Sequence, residues 1–393
     1  MVNILRVNGF YNKSVFFVTN DGDKNIYYLD NDDSDDKIAG FINMKFIIHD
    51  TTSNTVETYD LPYPAEDFSR QFGNKEFYYA RFSHEKAFLH IHRVEFCPVR
   101  SSEIAVSLTE VLGGLNVYRT VMQGIDDRYC LVGCSTTRTY ETTHMLLIDF
   151  DEQTYYSIAP DFGIDTLCRI ESFMTMKSTQ LTPGKEEIAL IIGGFHWTEK
   201  YEIWENRESW RDLEDKLMEH VVIFDRDSFF RRLKSGLPLE VTDKQIIERC
   251  ALHRTIISYG DHGTKMDYTM VDFENKTTTR VEYDIHSGKK TLFEHESILS
   301  SPVYIDGELY SIETLDDERF AVLDLRTNQF LVILTSNEKI LAVDKHFILT
   351  YKWLENANQQ IVYIYDLDGE SVEQQLLGIG YAHYDGKQVT IFS

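Results

Sequence analysis

Short apolar runs that end in aspartate recur along the chain, and they constrain its fold more than any other feature. Each run has four residues, mainly β-branched, aromatic or aliphatic, and leads through a polar turn into another apolar segment. This pattern is typical of an inner β-strand followed by a tight turn, in which the aspartate carboxylate accepts bonds from backbone N–H groups two residues later. The runs end at Asp50, Asp149, Asp225, Asp272, Asp324 and Asp366.

The spacing of these aspartates predicts the size of a repeating unit. Successive aspartates lie 99, 76, 47, 52 and 42 residues apart. The last three intervals fit a repeat of about 40–50 residues, which is enough chain for four short strands. The interval of 99 residues is close to two repeats and predicts a degenerate unit near residues 65–110. The interval of 76 residues predicts an insertion between Asp149 and Asp225.

The chain resembles the β-propeller architecture on this repeat. Residues 301–335 and 338–376 each read as four successive strands. The resemblance implies an all-β fold, a single β-propeller of about seven blades with a short helical insertion in the fourth blade. Six or eight blades, or paired β-sandwiches, are the alternatives. No strand ends in Trp-Asp, as in WD repeats, and the double glycine of kelch repeats does not recur, so no specific family is identified.

The predicted organisation is one β-propeller domain over residues 1–393. Residues 378–393 read as two further strands, too few for another blade. We expect them to pair with N-terminal strands and so close the ring, because closure removes exposed sheet edges.

The insertion has a helical pattern and is predicted over residues 197–220. Trp210, Leu213 and Leu217 fall on one helix face. Two shorter helices are predicted at 228–235 and 243–249.

Aromatic residues are concentrated in this insertion. Large aromatic side chains on an inserted loop are typical of binding hot spots, although the same rings can simply pack the insertion onto its blade. The interaction candidates are Trp197, Tyr201, Trp204 and Trp210.

The charge of the chain excludes some classes of partner. The formal net charge is −25, which repels phosphate backbones and argues against a nucleic-acid binder. No stretch of 18 apolar residues is present, so no membrane-spanning helix is expected. The first twelve residues lack a secretory pattern, and a cytoplasmic location is expected.

Cysteine use fits that compartment. The five cysteines form no Cys-x-x-Cys pair, so they are expected to be buried free thiols. Cys134 is the one candidate for a reactive thiol.

Signals for chemistry are weak. His90 and His92 lie two apart on a predicted strand and therefore face the same way, which makes them weak candidates for a metal site. The acidic run at residues 30–36 lacks the glycine and glutamate of a calcium loop and reads as a solvated loop. No catalytic motif is present, so catalytic residues stay unknown and no cofactor is expected.

These features favour a protein-interaction module, a propeller scaffold or adaptor that binds a protein or peptide through its loops and the aromatic insertion. The negative charge favours a basic partner. The alternative is an enzyme with a site at a channel mouth, acting on a small molecule or glycan. A third reading is a structural subunit docked permanently through the insertion. The sequence leaves the oligomeric state open.

Overall fold

The structure is a computed structural model, and the description is confined to part of the chain. The described residues are 2–30, 44–60, 67–68, 76–83, 85–96, 98–125, 127–137, 141–164, 170–178, 185–193, 204–208, 218–261, 265–295, 302–305, 308–315, 319–334, 337–354, 357–367 and 372–393.

The chain is an all-β protein of seven sheets, a seven-bladed β-propeller, which confirms the predicted fold class. It divides into two compact units, residues 1–64 with 299–393 and residues 65–298. No helix among the described residues is long and apolar enough to cross a membrane.

The unit formed by residues 65–298 contains four sheets, numbered here as blades 2 to 5. Blade 2 is the predicted degenerate repeat and has no terminal aspartate. Its strands are β6 (Asp67–Phe68), β7 (Glu76–Phe82), β8 (Phe88–Glu95) and β9 (Arg100–Ser107), followed by helix α1 (Leu108–Leu112). Blade 3 has β10 (Arg119–Gly124), β11 (Tyr129–Ser135), β12 (His144–Asp149) and β13 (Thr154–Ile158). Blade 4 has β14 (Ile170–Ser178), β15 (Lys185–Ile192), β16 (Glu219–Asp225), helix α2 (Arg226–Lys234) and β17 (Ile246–Cys250). Blade 5 has β18 (Arg254–Asp261), β19 (Lys265–Asp272), β20 (Thr277–Asp284) and β21 (Lys289–His295).

The other unit contains blades 1, 6 and 7. Its last sheet has six strands, with the N-terminal strand of the chain at one edge. Blade 1 has β2 (Ser14–Asp21), β3 (Lys24–Asp30), β4 (Met44–Asp50) and β5 (Thr55–Asp60). Blade 6 has β22 (Pro302–Ile305), β23 (Glu308–Thr314), β24 (Phe320–Asp324) and β25 (Gln329–Leu334). The six-stranded sheet has β26 (Lys339–Val343), β27 (Phe347–Leu354), β28 (Gln359–Asp366), β29 (Glu373–Tyr384), β30 (Gln388–Phe392) and β1 (Asn3–Val7).

Four of the six predicted aspartates hold the turn that follows their strand, and the turn after Asp366 lies outside the described residues. Asp50 accepts bonds from the backbone N–H groups of Thr52 and Ser53 at 3.1 and 2.9 Å. Asp149, Asp272 and Asp324 each accept bonds from the N–H groups two and three residues later. Asp225 instead caps helix α2, accepting from the Ser228 N–H at 2.9 Å.

The N-terminal strand joins the last sheet. β1 pairs in parallel with β30, from Asn3 opposite Gln388 to Val7 opposite Phe392. Val389 and Ile391 of β30 enter one hydrophobic core with β27 and β28, whereas Phe392 enters another core with blade 1. Both faces of this closing strand are therefore buried.

The region around the insertion differs in part from the sequence prediction. The helix predicted at 228–235 is present as α2, which begins at Arg226 because Asp225 supplies its cap. The helix predicted at 243–249 is corrected: the structure has strand β17 there, paired with β16. Two consecutive isoleucines favour a strand, and the pairing satisfies backbone groups along the edge of β16. Of the predicted insertion at 197–220, only 204–208 and 218–220 lie within the described residues.

Three of the five cysteines are described, and all three are buried: Cys130, Cys134 and Cys250. Cys134 is fully buried, so its environment does not suit a reactive thiol. Cys97 and Cys168 lie outside the described residues.

We predict that Gly380→Ala destabilises the closing strands. A Cβ at Gly380 would overlap the backbone oxygen of Phe392 and lie 2.8 Å from its carbonyl carbon, so β29 or β30 would have to move. The expected loss is about 1–3 kcal/mol of unfolding free energy, measured by denaturant titration. Gly386→Ala is the control, since Gly386 also has a positive φ but faces open space. Equal losses in the two variants would contradict the predicted overlap.

We predict that His383 makes stability fall between pH 6.5 and pH 4. Its ring stacks on Phe17 with centroids 3.9 Å apart, and burial lowers its pKa to about 4 although nearby Asp385 acts in the opposite direction. The unfolded chain takes up this proton near pH 6.5, before the folded protein does, so acidification favours unfolding. The contribution is up to about 3 kcal/mol at pH 4.

Unfolding free energies of His383→Phe and wild type, measured between pH 7 and pH 4, test this expectation. The variant should show a shallower decline, although a slope remains because burial also lowers the pKa of His92 to about 4. His346→Gln is the control at an exposed position. If the unfolding free energy of His383→Phe falls with pH as steeply as that of wild type, the loss of stability cannot be attributed to His383.

Candidate binding cleft

Trp204 is the described member of the predicted aromatic group. Its ring is half-buried and lies 6.0 Å from the ring of His253, between centroids. The guanidinium of Arg207 stacks over the same ring at 4.3 Å. Trp197, Tyr201 and Trp210 lie outside the described residues, so their proposed role in binding stays a prediction.

Trp204 is linked through His253 to a cleft over blade 5. The connection is His253, whose Nε2 is 4.0 Å from a carboxylate oxygen of Asp272, a cleft residue. The cleft has a volume of about 460 Å³, within the range of ligand pockets. Its lining residues are Glu248, Arg254, Met270, Asp272, Asn275, Thr277, Thr279, Lys290, Leu292 and Glu294.

Strand register explains why these residues share one face. Met270 and Asp272 of β19 are paired with Thr279 and Thr277 of β20. Thr279 is also paired with Glu294 of the outer strand β21. Because directly paired residues point to the same side of a sheet, this face carries a polar lining across three strands.

Asp272 fixes one end of the cleft. It is buried and accepts bonds from the backbone N–H groups of Glu274 and Asn275, from the Asn275 side-chain amide and, at 2.9 Å, from Nε of Arg254. Burial by itself would raise the pKa of this carboxyl, but the hydrogen bonds from Asn275 and Arg254 lower it below its ordinary value. Asp272 is therefore ionised at neutral pH and orients the guanidinium.

A second ion pair fixes the other end and joins blade 5 to blade 4. Lys290 Nζ lies 2.6 Å from a carboxylate oxygen of Glu248, which also accepts a bond from the Tyr268 hydroxyl at 3.0 Å. Burial, followed by the charge of Glu248, raises the pKa of Tyr268. The tyrosine therefore stays a neutral donor.

Glu294 differs from the other charged residues of the cleft. It is exposed, and no ion pair or hydrogen bond engages its carboxylate among the residues that the structure describes. Beside it on β21, Leu292 exposes 54% of its surface. Strand β21 thus contributes one unpaired carboxylate and one exposed apolar side chain to the cleft.

His90 and His92 lie together in blade 2. Both rings face Glu103, with His90 Nδ1 at 2.5 Å and His92 Nε2 at 3.5 Å from its oxygens. Arg81 also donates from Nε to His92 Nε2 at 3.3 Å, and this positive charge disfavours a metal cation there. Among the described parts of the chain, no group of three or more histidine, cysteine, aspartate or glutamate residues is placed to hold a metal.

Sequence reasoning did not find the cleft, because its residues come from separate strands. Asp272 was singled out only as a strand end. One usable signal was present in β20, where Thr277 and Thr279 alternate with buried Thr278 and Arg280. That alternation places a row of hydroxyl groups on one face.

Comparison with known proteins identifies no family. No protein-family model and no curated protein matches the sequence. Among solved structures, a prolyl endopeptidase gives a TM-score of 0.52 at 8% identity, covering 93% of this chain and 50% of that chain.

Two isolated propeller domains give lower scores. The β-propeller domain of the trilobed protease from Pyrococcus furiosus gives 0.46 at 10% identity, covering 93% and 95% of the two chains. The Cps50 (Swd1) propeller domain of Myceliophteria thermophila gives 0.41 at 8% identity, covering 90% and 98%. At such identities, the likeness to the prolyl endopeptidase structure shows a shared fold alone.

We predict that Asp272→Asn destabilises the blade that carries the cleft. The neutral amide can still accept the two backbone bonds but loses the charge that holds Arg254, at a cost of about 2–3 kcal/mol. Asp284→Asn is the matched control, because Asp284 holds a similar turn through the Ser287 N–H and hydroxyl and lies on the surface. The control variant should lose less than about 1 kcal/mol of unfolding free energy. Equal losses in denaturant titrations would contradict a special role for the Arg254 pair.

Proposed function

We propose that this protein is an interaction module that binds a peptide segment of a partner protein in the cleft over blade 5. The observation that carries the proposal is the cleft itself, lined by strand residues in fixed register, with Trp204 linked to it through His253. Sites on rigid strands position their contacts more accurately than loops do, and an aromatic ring beside a cleft is typical of a binding hot spot.

The partner is proposed to be basic. The net charge of −25 attracts positively charged surfaces over distances comparable to the Debye length, which speeds association at low salt. A cytoplasmic location remains part of the proposal, and the buried free thiols of Cys130, Cys134 and Cys250 agree with it.

The alternative of an enzyme has less support in this cleft. Asp272 and Glu248 are both held by a neighbouring cation. At Asp272 this pairing stabilises the ionised form, whereas a general acid needs a carboxyl that stays protonated near neutral pH. The paired Asp272 therefore favours a role in holding the cleft over acid–base chemistry.

We predict that peptides selected on this protein bind at the cleft. A library of random 12-residue peptides is panned on the purified chain, and the affinities of selected peptides are measured for wild type and Leu292→Arg. The substitution places a long charged side chain in the cleft and should weaken cleft-dependent peptides at least about tenfold. Trp204→Ala should weaken the same peptides if its ring contacts them.

Matched variants separate this effect from general surface changes. Leu115→Arg alters a leucine that is 58% exposed in the sequence before blade 3, and Trp353→Ala alters a tryptophan that is 39% exposed in β27. Both should bind like wild type. A library that yields no peptide sensitive to Leu292→Arg would refute the proposed function.

A further inference from the structure

The charges that line the cleft leave one carboxylate uncompensated. Arg254 is paired with Asp272 at 2.9 Å, and Lys290 is paired with Glu248 at 2.6 Å. Glu294 is the remaining charge of the lining, and no cation is paired with it among the described residues. The lining therefore has a net charge of about −1, carried by Glu294.

The surroundings of Glu294 suit the stem of a long side chain. Leu292 precedes it by two positions on β21 and therefore points to the same face, while Met270 also lines the cleft. Lysine and arginine bury their methylene stems along apolar surface while the charged group keeps polar contacts. The hydroxyl oxygens of Thr277 and Thr279 can accept hydrogen bonds from an ammonium or guanidinium.

We propose that the cleft accepts a single lysine or arginine side chain of the bound peptide, with Glu294 as its counter-charge. This inference rests on the proposed function and names the chemistry that the site recognises.

An acidic side chain fits this lining less well. The two cations that could attract it already neutralise the half-buried Glu248 and the buried Asp272. Drawing Arg254 or Lys290 away would leave a carboxylate uncompensated in a partly desolvated position, which is costly. An acid would also face the unpaired charge of Glu294. One uncompensated carboxylate in the lining matches one positive group.

The test uses the peptides that lose affinity in Leu292→Arg. Each lysine in them is replaced by norleucine and each arginine by citrulline, which removes the positive charge at nearly constant shape. One position should be sensitive, with a loss of about threefold to fivefold, since a solvent-exposed ion pair contributes modestly. Raising the salt concentration should shrink this difference.

Variants at Glu294 identify the counter-charge. Glu294→Gln should weaken the unmodified peptide about threefold, and Glu294→Lys about tenfold because attraction becomes repulsion. Changing the sensitive peptide residue to glutamate should restore binding to Glu294→Lys to within about threefold of the original affinity. Glu274→Lys is the matched control, an exposed acid in the β19–β20 turn that does not line the cleft, and should change affinity less than about twofold.

The outcomes distinguish this inference from the proposed function. Cleft-dependent peptides with no sensitive basic residue, or with unchanged affinity for Glu294→Lys, would overturn the inference while leaving the peptide site in place. Failure to select any cleft-dependent peptide would refute the proposed function, and the inference would fall with it. If the glutamate-substituted peptide binds well to Glu294→Lys but not to Glu274→Lys, the peptide residue contacts residue 294 directly.

Discussion

Burial of both faces of the inner strands is the constraint on which the rest of the structure depends. In blade 3, Leu131 and Leu147 enter a core shared with blade 4, whereas Val132 and Leu146 enter another core shared with blade 2. A strand buried on both sides has no position for a solvated residue until it ends. This is why the inner strands read as continuous apolar runs and why the polar residue that follows each run holds the turn.

The outer strands are not buried on both faces, and the outer strand β21 supplies part of the cleft lining. β21 contains only exposed and half-buried residues, and Leu292 and Glu294 reach solvent, whereas the inner strand β19 is buried over most of its length. The ion pair of Lys290 and Glu248 links β21 to β17, the last strand of blade 4. Ion pairs at such partly buried positions orient side chains more than they add stability. The two ion pairs therefore fix the side-chain positions of the cleft lining.

The constraint also decides what could be predicted from the sequence. Two-sided burial repeats at the blade period, so blade number and the aspartate turns at Asp149 and Asp324 followed from apolar runs and spacing. The strand at 246–250 could not be predicted in this way. Its conformation depends on pairing with β16, and no local sequence pattern reveals that pairing. The cleft depends on register, and shifts between β18 and β19 and between β16 and β17 alter which side chains meet. Aromatic clustering pointed to Trp204 but not to its neighbour His253.

The charge of the chain and the charge of the cleft act at different distances. The net charge of −25 is spread over the molecule, and salt screens it beyond about 10 Å, so it governs approach more than fit. Within the cleft, four of the five charges cancel in pairs, which leaves Glu294 as the local source of attraction. Long-range attraction to a basic surface would thus bring many partners near. Short-range compensation at Glu294 would discriminate among them, because specificity is a difference between affinities and not their sum.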